Sequence, residues 1–214
     1  MADPLDSQTD LHLKKCRESL HREFTGLHAA GTIDGIFDDS VTRIRTAGRI
    51  DAYVPALAEK LARDRLRAAA QTAGTLEKAV PEVLFVALHD TGRGQIGAAF
   101  MRRLAGDRVS VHSAGTGGDR APVDPGVAAI MQEVGIDLDG QYSKPLTPEV
   151  LAAADVVVTM GRSTGIVDIP ASVRHVDWRI GDPGGAPAEE IRHIRDEIEG
   201  RVQGLLAELV PQQA

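Results

Sequence analysis

The chain has 214 residues, a formal net charge of -7, 43% hydrophobic residues and 26% charged residues. This composition is typical of a folded globular protein, and its acidic balance argues against sequence-independent binding to nucleic acid, which needs a basic surface. No apolar run is long enough to span a membrane, and no basic stretch with an apolar core begins the chain, so we expect a cytoplasmic protein without a membrane partner.

Residues 1–74 predict a small all-α bundle. Apolar side chains recur at steps of three and four in three successive patterns, which comprise Leu13, Cys16, Leu20, Phe24 and Leu27, then Ile36, Phe37, Val41 and Ile44, then Val54, Leu57, Ala58, Leu61, Ala62 and Leu66. The third helix runs from about Asp51 to Ala70, with Asp51 as its N-cap and Pro55 in its first turn. Gly74 ends the bundle, and residues 75–81 form a linker.

Such a small bundle has a marginal core. Its apolar stripes need cover, so we expect this module to bind the following domain, a protein partner or a second copy of itself, as in a homodimer. The only cysteine of the chain, Cys16, lies on an apolar helix face and is most simply a core residue. A single cysteine excludes an intramolecular disulfide and a dithiol relay.

Residues 82–214 predict an α/β domain, because short apolar runs alternate with helical patterns. The predicted strands are 82–87, 109–112, 155–160 and 174–178, and the predicted helices are 95–105, 124 to about 134 before Gly135, 148–154 and 188–209. We expect a four-stranded parallel sheet flanked by helices. Right-handed crossovers then place the loops 87–94, 160–166 and 178–184 at one edge of the sheet.

The loop after the first strand carries the most specific chemical signal. A buried strand that runs through a glycine-bearing turn into a helix N-terminus is a structure that cradles anions with backbone N–H groups. Arg93 is placed to grip an oxyanion, and the spacing from Ala87 to Arg93 is that of a C-x5-R motif with alanine in place of cysteine. The candidate anion-binding residues are Leu88, His89, Asp90, Thr91, Gly92, Arg93 and Gly94.

This loop resembles that of the low-molecular-weight tyrosine phosphatases and, more closely, of the thioredoxin-coupled arsenate reductases. Five further segments resemble these families in the same order, namely Ser113-Ala114-Gly115, Val134-Gly135-Ile136-Asp137, Val156 to Gly161, Trp178 with Asp182-Pro183, and Arg195-Asp196-Glu197-Ile198. The resemblance covers about residues 82–210 and implies a phosphotyrosine-phosphatase-like fold. Residues 1–75 resemble a helical module found ahead of some actinobacterial arsenate-reductase-like domains.

The resemblance also implies roles for single residues. In these families the first residue of the loop is a nucleophilic thiolate, and here that position holds Ala87. Arg93 matches the arginine that holds the equatorial oxygens, and Asp182 matches the general acid of the phosphatases. Asp90 stands where the reductases have asparagine, and Gly94 stands where they have serine.

The relay of the arsenate reductases is also missing, because Arg162 occupies the place of the first relay cysteine. Departures at several functional positions favour natural divergence over a single engineered change. They also weaken dianion binding, since a carboxylate about 4–6 Å from a dianion costs on the order of a few kcal/mol at an effective dielectric near 20.

Structural interpretations of the same residues stay open. In one interpretation, Arg93 only ties the loop to nearby carbonyls or to Asp182, and Asp182-Pro183 only forms a turn. In another, the Asp90 carboxylate accepts the loop N–H groups itself, as an internal substitute for the anion. His89 is better explained by inherited loop structure than as a new nucleophile.

The sequence therefore predicts a relative of these enzymes that lacks the nucleophile. We expect a non-catalytic regulatory or partner-binding protein whose loop binds phosphate, arsenate or sulfate weakly. We expect no cofactor and no metal, because His112, His175 and His193 lack metal-ligand spacing. One alternative is an enzyme with repurposed chemistry that uses Asp182, His89 or Asp90 with Arg93. Another is a protein that homology would name a reductase or phosphatase although it lacks the activity.

Overall fold

A computed structural model of the chain describes residues 4–46, 51–117, 122–161 and 168–210. The chain divides into two compact units, Met1–Glu77 and Lys78–Ala214. Each unit has its own buried apolar residues. Among the described residues, no helix combines the length and the apolar character needed to cross a bilayer.

The first unit consists of three helices, as predicted: α1 (Pro4–Phe24), α2 (Ala30–Thr46) and α3 (Val54–Thr72). Their facing sides are fully or almost fully buried, with Leu20, Phe24, Ile33, Phe37, Ile44, Val54, Leu61 and Leu66 in the core. Ion pairs join each helix to the next, through Arg17–Asp34 (2.8 Å), Arg65–Asp39 (2.6 Å) and Arg63–Glu23 (2.8 Å). The bundle therefore combines an apolar centre with charged links near its surface.

The start of α3 differs from the prediction. Asp51–Tyr53 form one 3-10 turn, and the N-cap position falls on Tyr53, whose side chain makes no capping hydrogen bond. The prediction that Asp51 caps α3 was wrong, because the chain makes an extra turn before the α-helix begins. Pro55 lies in the first turn of α3, as predicted. Gly74, with φ +72°, ends the bundle.

The second unit contains the predicted four-stranded parallel sheet: β1 (Glu82–Ala87), β2 (Ser110–Gly115), β3 (Val156–Met160) and β4 (Arg174–Trp178), in the spatial order β2-β1-β3-β4. The helices α4 (Arg93–Ala105), α5 (Pro125–Glu133) and α7 (Ala188–Leu209) cover one face, and α6 (Pro148–Ala153) covers the other. Every residue of β1 is buried, as expected for a central parallel strand. Its carboxyl end therefore opens at the middle of the sheet edge.

Several predicted bounds shift by one to three residues. Helix α4 begins at Arg93 instead of 95, β3 begins at Val156 instead of 155, and α6 ends at Ala153 instead of 154. Strand β2 spans Ser110–Gly115 and not 109–112, because Gly115 pairs with Ala87 at the end of β1. The earlier start of α4 places Arg93 in the first turn of the helix.

Candidate anion-binding site

The loop between β1 and α4 is anchored by its carbonyl groups. Four of them accept hydrogen bonds from neighbouring segments, at Ala87 from Thr116 (3.1 Å), Leu88 from Gly117 (2.6 Å), His89 from the Ser143 hydroxyl (2.6 Å) and Thr91 from Asp124 (2.9 Å). Asp124 is the predicted start of α5 and caps that helix with its side chain. The carbonyl groups of the loop thus hold it to the scaffold.

The N–H groups of the loop are not used in this way. Among the described residues, the backbone N–H groups of residues 88–93 have no hydrogen-bond acceptor. They lie at the N-terminus of α4, a helix of 13 residues. Unused N–H donors and the positive end of the helix dipole both favour a bound anion.

Arg93 is held between the loop and the segment after β4. Its guanidinium is buried and donates from Nη1 to the Ile180 carbonyl (2.9 Å) and from Nη2 to Asp182 (3.0 Å). It lies directly on Gly161, where φ is +92° and a Cβ atom would collide with it. The predicted convergence of the loops at one sheet edge is confirmed for these residues.

Asp182 takes part in a turn as well as in this ion pair. Its Oδ1 accepts from the Gly184 N–H (3.1 Å), while its Oδ2 accepts from Arg93, and the side chain is 62% exposed. Pro183 packs against the loop, since a Cβ on Gly92 would lie 2.7 Å from the Pro183 ring. Both structural interpretations of Arg93 and Asp182 therefore describe real contacts.

Asp90 is the most unusual residue of the loop, because it is fully buried with a positive φ of +48°. Its Oδ2 accepts from the Gln95 amide (3.0 Å), the Ser113 hydroxyl (3.3 Å) and the Lys144 N–H (3.0 Å). Its Oδ1 has no partner among the described residues. The carboxylate does not accept the loop N–H groups, so that sequence-based interpretation was wrong: the side chain turns toward β2 and residues 142–144 instead.

Burial raises the pKa of Asp90 above its ordinary value, although Lys144 and the hydrogen-bond donors act in the opposite direction. The Lys144 Nζ lies 3.5 Å from Oδ2, donates to the Tyr142 carbonyl (3.0 Å) and stands 5.0 Å from the centroid of the Tyr142 ring. Sequence reasoning missed the role of Lys144 because it lies 54 residues from Asp90. No spacing signal in the sequence joins the two residues.

The Asp90 carboxylate occupies the space into which a side chain at position 94 would extend. A Cβ at this position would lie 2.8 Å from Asp90 Oδ1 and 3.8 Å from the Ala87 methyl group. The space in which a serine side chain would begin is thus already occupied by the carboxylate. The two departures from the reductase pattern, at positions 90 and 94, are one structural change.

Neither His89 nor Cys16 is placed as a nucleophile or metal ligand among the described residues. The His89 ring covers Gly117, where a Cβ would lie 3.1 Å from Nδ1. The described part of the chain contains no group of three or more His, Cys, Asp or Glu side chains suited to a metal ion. In the first unit, burial and a hydrogen bond with Glu59 raise the pKa of Cys16 to about 12. Arg162 lies outside the described residues.

The groups that the site offers are groups that can bind an anion. The site offers unused N–H groups and one buried guanidinium, while the loop's first side chain is the methyl group of Ala87. Asp90 is fully buried, and three donors hold its Oδ2, so the structure does not present it as a nucleophile. Among the described residues of the loop, no side chain can act as a thiolate.

Both units of the chain match known protein families. Residues 82–214 match the profile of the low molecular weight phosphotyrosine protein phosphatases, and residues 13–70 match that of the protein-tyrosine-phosphatase-like N-terminal domain. A thioredoxin-dependent arsenate reductase from Corynebacterium glutamicum is 32% identical with a TM-score of 0.81, over 94% of this chain and 98% of that one.

Two shorter relatives match about three fifths of the chain. A glutaredoxin arsenate reductase from Synechocystis is 32% identical over 131 residues, which is 60% of this chain and 98% of the relative. An arsenate reductase solved in its phosphate-binding state is 31% identical with a TM-score of 0.54, over 61% of this chain and all of that one (100%).

Proposed function

Because the chain belongs to the low molecular weight phosphotyrosine protein phosphatase family, which includes arsenate reductases, we propose that its loop binds a tetrahedral oxyanion such as phosphate, arsenate or sulfate without converting it. The protein then acts as a non-catalytic regulatory or partner-binding member. One observation carries this proposal: the N–H groups of residues 88–93 and the Arg93 guanidinium are arranged for an anion, while the first position of the loop holds Ala87.

Arg93 can exchange its contact with Asp182 for an anion at small cost. Its bond to Asp182 is formed with a largely exposed carboxylate, and such pairs contribute little. Its bond to the Ile180 carbonyl is buried and keeps the guanidinium at the loop. The remaining guanidinium N–H groups then suit a bidentate contact with two anion oxygens.

The chain supplies no substitute for the missing thiolate. Cys16 lies in the first unit, and with its pKa raised to about 12 it stays a protonated thiol near neutral pH. The alternative function is repurposed chemistry with Asp182, His89 or Asp90, and the full burial of Asp90 disfavours that residue. His89 and Asp182 remain for a test.

The proposal predicts anion binding without turnover. Calorimetric titration should show sulfate binding that weakens by at least about tenfold in Arg93→Ala, because charge-assisted hydrogen bonds are lost. Arg108→Ala is the matched control, since this exposed arginine precedes β2 at the opposite edge of the sheet and should leave sulfate affinity unchanged. Aryl phosphate hydrolysis and thioredoxin-linked arsenate reduction should both be absent.

Two outcomes would contradict the proposal. A hydrolytic or reductive rate that disappears in Arg93→Ala but not in Arg108→Ala would show repurposed chemistry at this loop. Absence of phosphate, arsenate and sulfate binding would show that the loop is a structural remnant.

A further inference from the structure

Asp90 puts a carboxyl group inside the wall of the anion loop. The residue is fully buried and lies three positions before Arg93 in the chain. Its left-handed backbone (φ +48°) is a conformation that aspartate and asparagine tolerate better than most residues. Its Oδ1 lies 2.8 Å from the Cβ position of Gly94, which is itself 3.8 Å from the Ala87 methyl group at the start of the loop. A negative charge on this group is thus beside the floor of the loop and poorly screened by water.

The carboxyl group cannot move away when an anion arrives. Three donors hold Oδ2, from Gln95 on α4, Ser113 on β2 and the Lys144 N–H. Oδ1 is packed beside Gly94, and neither it nor the buried Gln95 Oε1 has a hydrogen-bond partner among the described residues. One proton on Oδ1 would turn this unpartnered acceptor into a donor.

One cation, Lys144, lies beside the Asp90 carboxylate, and it is shared with another acceptor. Lys144 comes from the segment before α6, and its Nζ lies 3.5 Å from Oδ2 and donates to the Tyr142 carbonyl. Arg93 on α4 directs its guanidinium to Ile180 and Asp182. His89 lies next in the loop, and its ring is turned to Gly117. The Ser113 contact from β2 is neutral.

We propose that oxyanion binding at the loop is coupled to the uptake of one proton by Asp90. This inference rests on the proposed function. Two negative charges held close together in a water-poor site repel each other, so the bound anion favours the protonated carboxyl group. By linkage, the proton favours the bound anion to the same extent. The Asp90–Gly94 arrangement thus makes oxyanion affinity depend on pH.

Sulfate separates proton uptake by the protein from that by the ligand, because it carries no titrating proton near neutral pH. Titration calorimetry in buffers of different ionisation enthalpy, between about pH 5 and pH 8, measures both affinity and the protons taken up. For the full-length protein we expect proton uptake on binding and an affinity that falls with rising pH, by up to about tenfold per pH unit.

Two variants isolate Asp90. Asp90→Asn keeps the shape and the backbone preference, and it should bind sulfate without this proton uptake and more tightly than the unmodified protein at pH 8. Asp139→Asn removes the same charge from an exposed loop and should behave like the unmodified protein. Near-ultraviolet circular dichroism verifies that both variants are folded.

The outcomes distinguish this inference from the proposed function. If sulfate binds with the same pH dependence and proton count in Asp90→Asn, the titrating group is not Asp90, and the inference is wrong while the proposed function stands. If sulfate binds to neither the unmodified protein nor Asp90→Asn, the proposed function fails and the inference fails with it.

Discussion

Single residues at positions 90 and 94 decide what the loop can do. The family pattern implies asparagine and serine there, whereas this chain has a buried carboxylate and a glycine whose Cβ position lies 2.8 Å from Oδ1. The sequence shows both departures and the missing thiolate. It does not show that the two positions touch or that Lys144 is the counter-charge, because these contacts arise only when β2 and residues 142–144 fold against the loop.

This contact predicts opposite effects of the same substitution at two helical glycines. Gly94→Ala should lower the free energy of unfolding by roughly 1–3 kcal/mol, because the methyl group overpacks against a carboxylate that cannot shift. Gly204→Ala on α7, where a Cβ meets nothing within 4 Å, should instead raise it by roughly 0.5–1 kcal/mol.

The measurement is urea unfolding followed by the fluorescence of the only tryptophan, Trp178, which reports on the second unit. Equal effects of the two substitutions would show that the packing at Gly94 is loose and that Asp90 is not fixed as described.

At the scale of elements, the sequence predicts the bounds of a strand or helix correctly where the spacing of apolar residues sets them. The bounds of β1, β4 and α7 were right, because apolar runs and a long amphipathic stripe mark them. The errors lie where another segment decides the boundary. Strand β2 extends to Gly115 because it pairs with Ala87, and α4 starts at Arg93 because the loop closes tightly. Asp51 does not cap α3, because one 3-10 turn precedes the helix.

The contact between α2 and α3 gives a prediction about stability and pH. Arg65 is almost fully buried and donates to Asp39 (2.6 Å), Ser40 (3.0 Å) and the Ile36 carbonyl (3.3 Å). Arg65→Met should destabilise the first unit by roughly 1–3 kcal/mol, because the buried Ser40 hydroxyl and the partly buried Asp39 and Ile36 acceptors lose their donor. Arg67→Met, on the exposed side of the same helix, should cost less than about 1 kcal/mol.

The pH dependence has a definite sign. Burial alone would raise the pKa of Asp39, but hydrogen bonds from Arg43 and Arg65 outweigh it and hold the pKa below the ordinary value of 3.8. The ion pairs therefore stabilise the fold above that pH, and this contribution is lost as the pH falls through the lowered pKa. Unfolding followed by far-ultraviolet circular dichroism should show a smaller acid sensitivity in Arg65→Met. An unchanged acid sensitivity would assign it to other carboxylates.

At the scale of the whole molecule, the two units have separate cores, and all contacts of the anion loop described above are with residues of Lys78–Ala214. We therefore expect a fragment of residues 78–214 to bind sulfate within about twofold of the full chain. Calorimetry on the two proteins tests this. A folded fragment that has lost sulfate binding would show that the first unit contributes to the site.

The contact between Asp90 Oδ1 and the Cβ position of Gly94 also constrains the order in which the loop can change over evolutionary time. A side chain added at position 94 must share space with the carboxylate at position 90, so we expect a serine there to be tolerated better when position 90 leaves that space open. A thiol at position 87 would have a neighbouring hydroxyl only in that case. The two positions are therefore expected to vary together among the relatives of this chain.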